Sequence, residues 1–175
     1  MNGLSIHPLA DFAQILQRPV RLAALDIGTR TIGIALSTPD WQTVLPLTTL
    51  TRSKWSQDLL ALEKALKGYE IGGLVIGLPF NMDGSEGPRA QGVRQVAYNL
   101  VKANPAWLSH CIIGFCDERH SSSTAHDMSA HLKLKRAKES GALDALAATD
   151  ILGRALNILK AGQHVAGNPE ETESQ

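Results

Sequence analysis

Only two cysteines occur in the 175 residues, Cys111 and Cys116. They lie five apart in one apolar run, so strand alternation sends them to opposite faces and no bridge between them is expected. Such sparing use fits a reducing compartment. Aromatic residues make up 5% of the chain, and no uninterrupted apolar run approaches the length of a membrane span. Neither sign of charge is in excess: 17 basic residues meet 17 acidic ones, which is not the balance of a strongly basic nucleic-acid binder. The first twenty residues mix Asn2, His7, Asp11, Gln14 and Arg18 among apolar positions, unlike a secretory leader. His120, His126 and His131 have no i,i+4 spacing and no cysteine close in sequence, so no zinc site is expected. Walker-A and dinucleotide glycine-rich patterns are missing. A cytoplasmic protein without membrane contact is the expectation that remains.

The length suits one domain with a well-covered core. Charge is unevenly spread. Setting aside Glu170, Glu171 and Glu173 of the polar C-terminal end leaves 17 basic residues against 14 acidic ones. A local basic stretch of Lys133, Lys135, Arg136 and Lys138 reads either as a solvated loop or as a phosphate-facing one. Residues 1–20 carry a short amphipathic stretch around Leu9, Phe12, Ile15 and Leu16 and read as an N-terminal extension; residues 21–161 read as the domain, and 162–175 as a polar tail. Nearly continuous apolar runs predict strands at 21–28, 32–36, 43–49, 74–78 and 111–116, with Gly72-Gly73 closing the unit before the fourth. Helical spacing is expected over 55–66, 89–103, 121–132 and 141–159. Three strands followed by helix–strand–helix–strand–helix predict an α/β fold, with a mixed five-stranded sheet, its first three strands antiparallel, and helices on both faces.

Against this frame, acids stand at costly positions. Asp26 interrupts the first apolar run, Asp117 and Glu118 end the fifth strand, and Asp144 opens the last helix. Converging carboxylates make a site for hard divalent cations and for metal-assisted phosphodiester cleavage. Each also has a plainer reading. Asp26 can bond the Gly-Thr turn that follows it, and Asp144 is well placed near a helix N-terminus. Asp117 and Glu118 point opposite ways in strand geometry, and spacing does not choose between them; the other acid can pair with Arg119. Asp144, Ala148, Ile151, Ala155 and Ile158 share one helical face, whereas Asp150 and Arg154 read as a surface pair. Thr29 and Arg30 lie in a turn where arginine can grip phosphate. The loop from Asn81 to Gly87 suits a turn that launches a helix, or a helix N-terminus open to phosphate. Ser121 or Ser122 can cap the helix after strand five.

Four blocks in order resemble the YqgF family, also called RuvX-type Holliday junction resolvases or pre-16S rRNA nucleases. They are Asp26-Ile27-Gly28-Thr29-Arg30-Thr31-Ile32-Gly33-Ile34-Ala35, then Gly77 through Gly87, then Asp117-Glu118-Arg119-His120-Ser121-Ser122, then Asp144-Ala145-Leu146-Ala147-Ala148. The resemblance covers roughly residues 21–161. It implies an RNase H-like fold and a nuclease, read here as an endonuclease, that processes the 5′ end of pre-16S rRNA during ribosome biogenesis. It also implies catalytic, metal-holding acids at Asp26, Glu118 and Asp144, with Mg²⁺ or Mn²⁺ as cofactor. Thr29, Arg30, Asn81, Arg119, Ser121, Ser122 and Lys138 are the expected nucleic-acid contacts. The partners implied are nucleic acid, as pre-16S rRNA or branched DNA, and the precursor of the small ribosomal subunit. Rival readings are a junction-cleaving enzyme of DNA recombination, a non-catalytic rRNA-binding assembly factor, and an actin-like ATPase suggested by Asp26-x-Gly-Thr. That last group needs two such domains to clamp a nucleotide.

Overall fold

The computed structural model describes residues 3–16, 19–119 and 143–166. In chain order the elements are β1 (Ser5–Ile6), α1 (Phe12–Ile15), β2 (Arg21–Ile27), β3 (Thr31–Ser37), β4 (Val44–Thr51), α2 (Trp55–Leu66), β5 (Ile71–Leu78), α3 (Pro88–Ala103), β6 (Ile112–Asp117) and α4 (Leu143–Ala166). They form one sheet in the order β1-β6-β5-β2-β3-β4. β2, β3 and β4 pair antiparallel in succession, while β5 runs parallel to β2 and β6 parallel to β5. This is the expected α/β, RNase H-like arrangement with β2 at its centre.

Among the described residues the sheet has six strands rather than five. The sixth is β1, which pairs in parallel with β6 through Ser5 and Ile6. Two residues are too few to show a period, so the N-terminal stretch gave no strand signal. Gly72 and Gly73 do not end a unit either; they lie inside β5. A Cβ on Gly73 would sit 2.7 Å from Leu22 and 3.0 Å from Phe12, and one on Gly114 of β6 would sit 2.7 Å from Phe12. The glycines make room for the fully buried Phe12 ring that docks the N-terminal segment on the sheet.

Strand alternation divides the core in two. Ala23, Leu25, Ile32, Ile34, Leu74 and Ile76 pack with Leu62 and Leu66 of α2 and with Val93, Val96 and Leu100 of α3. On the opposite face Leu22, Ala24, Ala35 and Val75 pack with α4 and with Leu9, Phe12 and Leu16. Cys111 belongs to the first cluster and Cys116 to the second, and both are free and buried. Burial pushes the Cys111 thiol up to about 12, so it is a packing group rather than a nucleophile.

α3 starts at Pro88, whose missing N–H costs nothing there, and ends at Asn104 in the left-handed region (φ 38°). α4 buries Ala148, Ile151, Leu152, Ala155, Leu156 and Leu159. Ile158, expected on the same stripe as Asp144, is 46% exposed, because the buried face drifts to 152, 156 and 159. The helix continues past Gly162 to Ala166. The helix expected at 121–132 and the charged connection after it lie outside the described residues.

Candidate active site

Asp26 is the next-to-last residue of β2, half-buried on the α4 face of the sheet. Glycines flank it on both sides. Gly33 of β3 is its antiparallel partner. On the other side Leu25 pairs with Ile76, and continuing that register by one residue sets Gly77 of β5 beside Asp26. Each glycine leaves space that another acid-bearing segment fills. A Cβ on Gly33 would overlap the backbone carbonyl of Asp144 and come 2.8 Å from the nitrogen of Ala145. The first turn of α4 therefore rests directly on β3. A Cβ on Gly77 would overlap Oε1 of Glu118 and lie 2.5 Å from Cδ1 of Ile151. Glu118 follows β6 and donates its backbone N–H to the carbonyl of Leu78 at 3.2 Å, and its carboxylate folds over Gly77 toward Asp26. Thr49 of β4, the other neighbour of Gly33, adds to the same row a buried hydroxyl that has no hydrogen-bond partner among the described residues.

The electrostatics follow from this crowding. Burial raises the pKa of Asp26 above the usual carboxylate value, Asp144 raises it further, and Arg89 opposes both. Burial likewise raises Glu118; Asp26 adds to the rise, and Arg154 and Arg89 oppose it. Asp26 thus feels one acid from α4 and acts on another from the end of β6. Among the described residues no three His, Cys, Asp or Glu side chains are gathered tightly enough to enclose an ion. The donor set nonetheless fits a hard dication. Its oxygens are of the preferred type, two of its carboxylates are held at raised pKa by burial and neighbouring acids, and a buried hydroxyl without a partner among the described residues stands beside them.

The two raised values set a pH dependence. The native state binds more protons than the unfolded chain between the ordinary carboxylate pKa and the raised one. Stability from these two acids is therefore retained in acid and lost as pH rises through their raised pKa values. A dication should recover that loss. Magnesium at roughly ten times its dissociation constant is expected to add about 1.4 kcal/mol, or roughly 3–6 °C in Tm, near pH 7.5. Near pH 4, where protons compete, the gain should vanish; differential scanning fluorimetry at the two pH values measures it.

Glu118 and Asp117 have different surroundings. Asp117 accepts from Arg119 Nε at 2.9 Å, Nη2 at 2.6 Å and the Arg119 backbone N–H at 2.9 Å. The Arg119 guanidinium also lies 5.0 Å from the Phe80 ring centroid and against Gly84. Thr29 and Arg30 are exposed in the turn between β2 and β3. Asn81 is exposed, but its side chain is used within its own loop: Nδ2 donates to Ser85 Oγ at 2.8 Å, and Ser85 donates to Asp83 at 2.6 Å. Ser121, Ser122 and Lys138 lie outside the described residues.

Two arginines escaped the sequence reading, and a third was assigned a different partner. Arg52 donates to the Gly28 carbonyl at 2.7 Å and lies 3.5 Å from the buried Asp58 carboxylate, locking the β2–β3 turn to α2. Arg89 stands in the first turn of α3 and acts on both Asp26 and Glu118; its only sequence signal is its place just after a helix-starting proline. Arg154, expected to form a surface pair with Asp150, instead donates to the backbone carbonyls of Glu118 at 3.3 Å, Asp150 at 3.4 Å and Asp117 at 3.5 Å.

Gly77→Ala isolates the placement of Glu118. The atoms nearest the added methyl are the ends of two flexible side chains, Glu118 and Ile151, so the fold should survive with Tm lowered by only a few degrees. Glu118 must move, and cleavage is expected to fall roughly 10–100-fold, as when a ligand loses its orienting contact. Paired thermal melts and initial rates test this; an unchanged rate would contradict the placement.

Residues 20–158 match the RuvX family, described as Holliday junction resolvase. A Rhodospirillum centenum protein named "Putative pre-16S rRNA nuclease" is 35% identical over 168 residues, covering 96% of this chain and 89% of its own. A Rhodobacter capsulatus protein of the same name is 44% identical over 149 residues, covering 85% and 91%. Among solved structures, T. thermophilus RuvC in complex with Holliday junction substrate is similar at 10% identity and a TM-score of 0.47, covering 85% of this chain and 96% of its own.

Proposed function

Because the chain belongs to the RuvX family of Holliday junction resolvases, a family of phosphodiester-cleaving hydrolases, we propose that it is a divalent-metal-dependent endonuclease. We propose further that it trims the 5′ end of pre-16S rRNA during assembly of the small ribosomal subunit in the cytoplasm. The observation that carries this reading is the row Gly33–Asp26–Gly77. Its two missing side chains admit the α4 turn of Asp144 on one flank and the Glu118 carboxylate on the other.

Asp26, Glu118 and Asp144 would hold the metal, one or two ions of Mg²⁺ or Mn²⁺. When bound, it supplies a Lewis acid for the phosphoryl oxygens and lowers the pKa of the attacking water. The chain's own residues do the rest. The carboxylates fix where negative charge is already concentrated, and Arg89 offsets part of it beside Asp26 and Glu118. Thr29 and Arg30 offer exposed donors at the turn that follows Asp26. Arg119 stands at the rim, its guanidinium shared between Asp117 and the Phe80 ring. Asn81, Ser121, Ser122 and Lys138 complete the proposed nucleic-acid contacts. Among the described residues no helix is long and apolar enough to cross a membrane.

The family description favours a second reading, cleavage of four-way DNA junctions. Incubating the purified protein with a pre-16S rRNA fragment and with a four-way junction, each with Mg²⁺ or EDTA, separates them. Mg²⁺-dependent cut ends on the RNA are expected. Cleavage of the junction alone would transfer the assignment to recombination, and RNA binding without cleavage in any metal would reduce the protein to an assembly factor.

A further inference from the structure

Helix α4 reaches the acids twice. Its first turn carries Asp144. Ten residues on, just under three turns and about 15 Å along the axis, it presents Arg154. That side chain spans from α4 to the end of β6, where its Nη1 donates to the carbonyls of Glu118 and Asp117. Asp117, opposite Leu78, is the last residue of β6, and Glu118 is the first beyond it. Glu118 is tied on both sides of its backbone. Its N–H goes to Leu78 of β5 and its carbonyl to Arg154 of α4. Its carboxylate is confined above Gly77 next to Ile151, which lies less than one turn before Arg154 on α4. We propose that Arg154 is a positioning residue: it couples Glu118 to the helix that carries Asp144, so that the two acids keep a fixed relation across Asp26.

This inference rests on the reading of Glu118 as a metal-holding residue. Arg154 reaches Glu118 through its backbone carbonyl and also acts on its carboxylate by charge, and a double-mutant cycle isolates the part of its effect that runs through Glu118. Arg154→Met keeps the aliphatic stem that packs along the helix and removes the guanidinium. Mn²⁺ affinity is measured by titration calorimetry for the wild type, Arg154→Met, Glu118→Gln and the double variant. The expected result is about tenfold weaker binding when Arg154 is replaced in the presence of Glu118, and no further weakening once Glu118 is Gln. Arg154→Lys, which retains a cationic donor, should recover part of the loss, and it carries the cycle if the Met variant does not fold. kcat should fall with the affinity while KM for RNA stays constant. Equal weakening in both backgrounds overturns the positioning role and leaves the nuclease reading standing. A wild-type protein that takes up no Mn²⁺ overturns both.

Discussion

Asp26→Asn is expected to lower the rate of RNA cleavage about a thousandfold, equivalent to about 4 kcal/mol of transition-state stabilisation, while raising the Tm of the metal-free protein. The two effects have one cause. Asp26 is a half-buried carboxylate whose pKa is pushed up first by burial and then by Asp144. At neutral pH its charge is a cost to the metal-free fold, and an amide of the same shape removes it. On the proposed reading, that same charge is what holds the dication. Stability and activity must therefore move in opposite directions, and the stability gain should disappear when melts are run in saturating Mg²⁺. A variant that loses activity because it unfolds would instead show both falling together. Melts with and without Mg²⁺, set beside cleavage rates, decide between these.

Gly33→Ala should be the most damaging small substitution in the site. At Gly77 a new methyl meets side-chain ends, but at Gly33 it meets the Asp144 carbonyl and the Ala145 nitrogen. Backbone cannot rotate away, so the start of α4 has to lift off β3. Overpacking of this kind costs about 3 kcal/mol or more, roughly 6–12 °C in Tm for a chain of this size. Asp144 leaves its place with the helix, so activity should fall even at temperatures where the variant is folded. Chemical denaturation gives the stability loss directly, and a melt within about 1 °C of wild type would show that the helix does not rest on the sheet there.

The contrast between the two glycines also shows which features a sequence reveals. The central strands were legible because β2, β3 and β5 are buried on both faces and read as continuous apolar runs. α2 was legible to the residue from its helical spacing. β1 was not, since two residues carry no pattern and its pairing with β6 is set by contacts more than a hundred positions away. Gly72 and Gly73 looked like punctuation because their real neighbours, Val20 and Leu16 at Gly72 and Leu22 and the Phe12 ring at Gly73, come from distant segments. Arg154 failed for a similar reason: the local i,i+4 partner Asp150 was outcompeted by strand-end carbonyls that only the fold brings near. Within the candidate site, Asp26 lies on the face of Ala24, two residues before it in β2, as strand alternation requires. Spacing left Asp117 and Glu118 undecided, and the family resemblance alone favoured Glu118. The structure gives Asp117 to Arg119 and turns Glu118 toward Asp26. The purpose of Gly33 and Gly77 as docking space for acids on other elements had no local signature at all.

The central claim is that Asp26, Glu118 and Asp144 serve a single dication site, and Mn²⁺ titration followed by electron paramagnetic resonance tests it most directly. Run on the wild type and on Asp26→Asn, Glu118→Gln and Asp144→Asn separately, it should show one saturable class of bound ion in the wild type, weakened at least about tenfold by each of the three changes. Wild-type affinity persisting in any one of the three variants would remove that residue from the site, and persisting in all three would contradict the account.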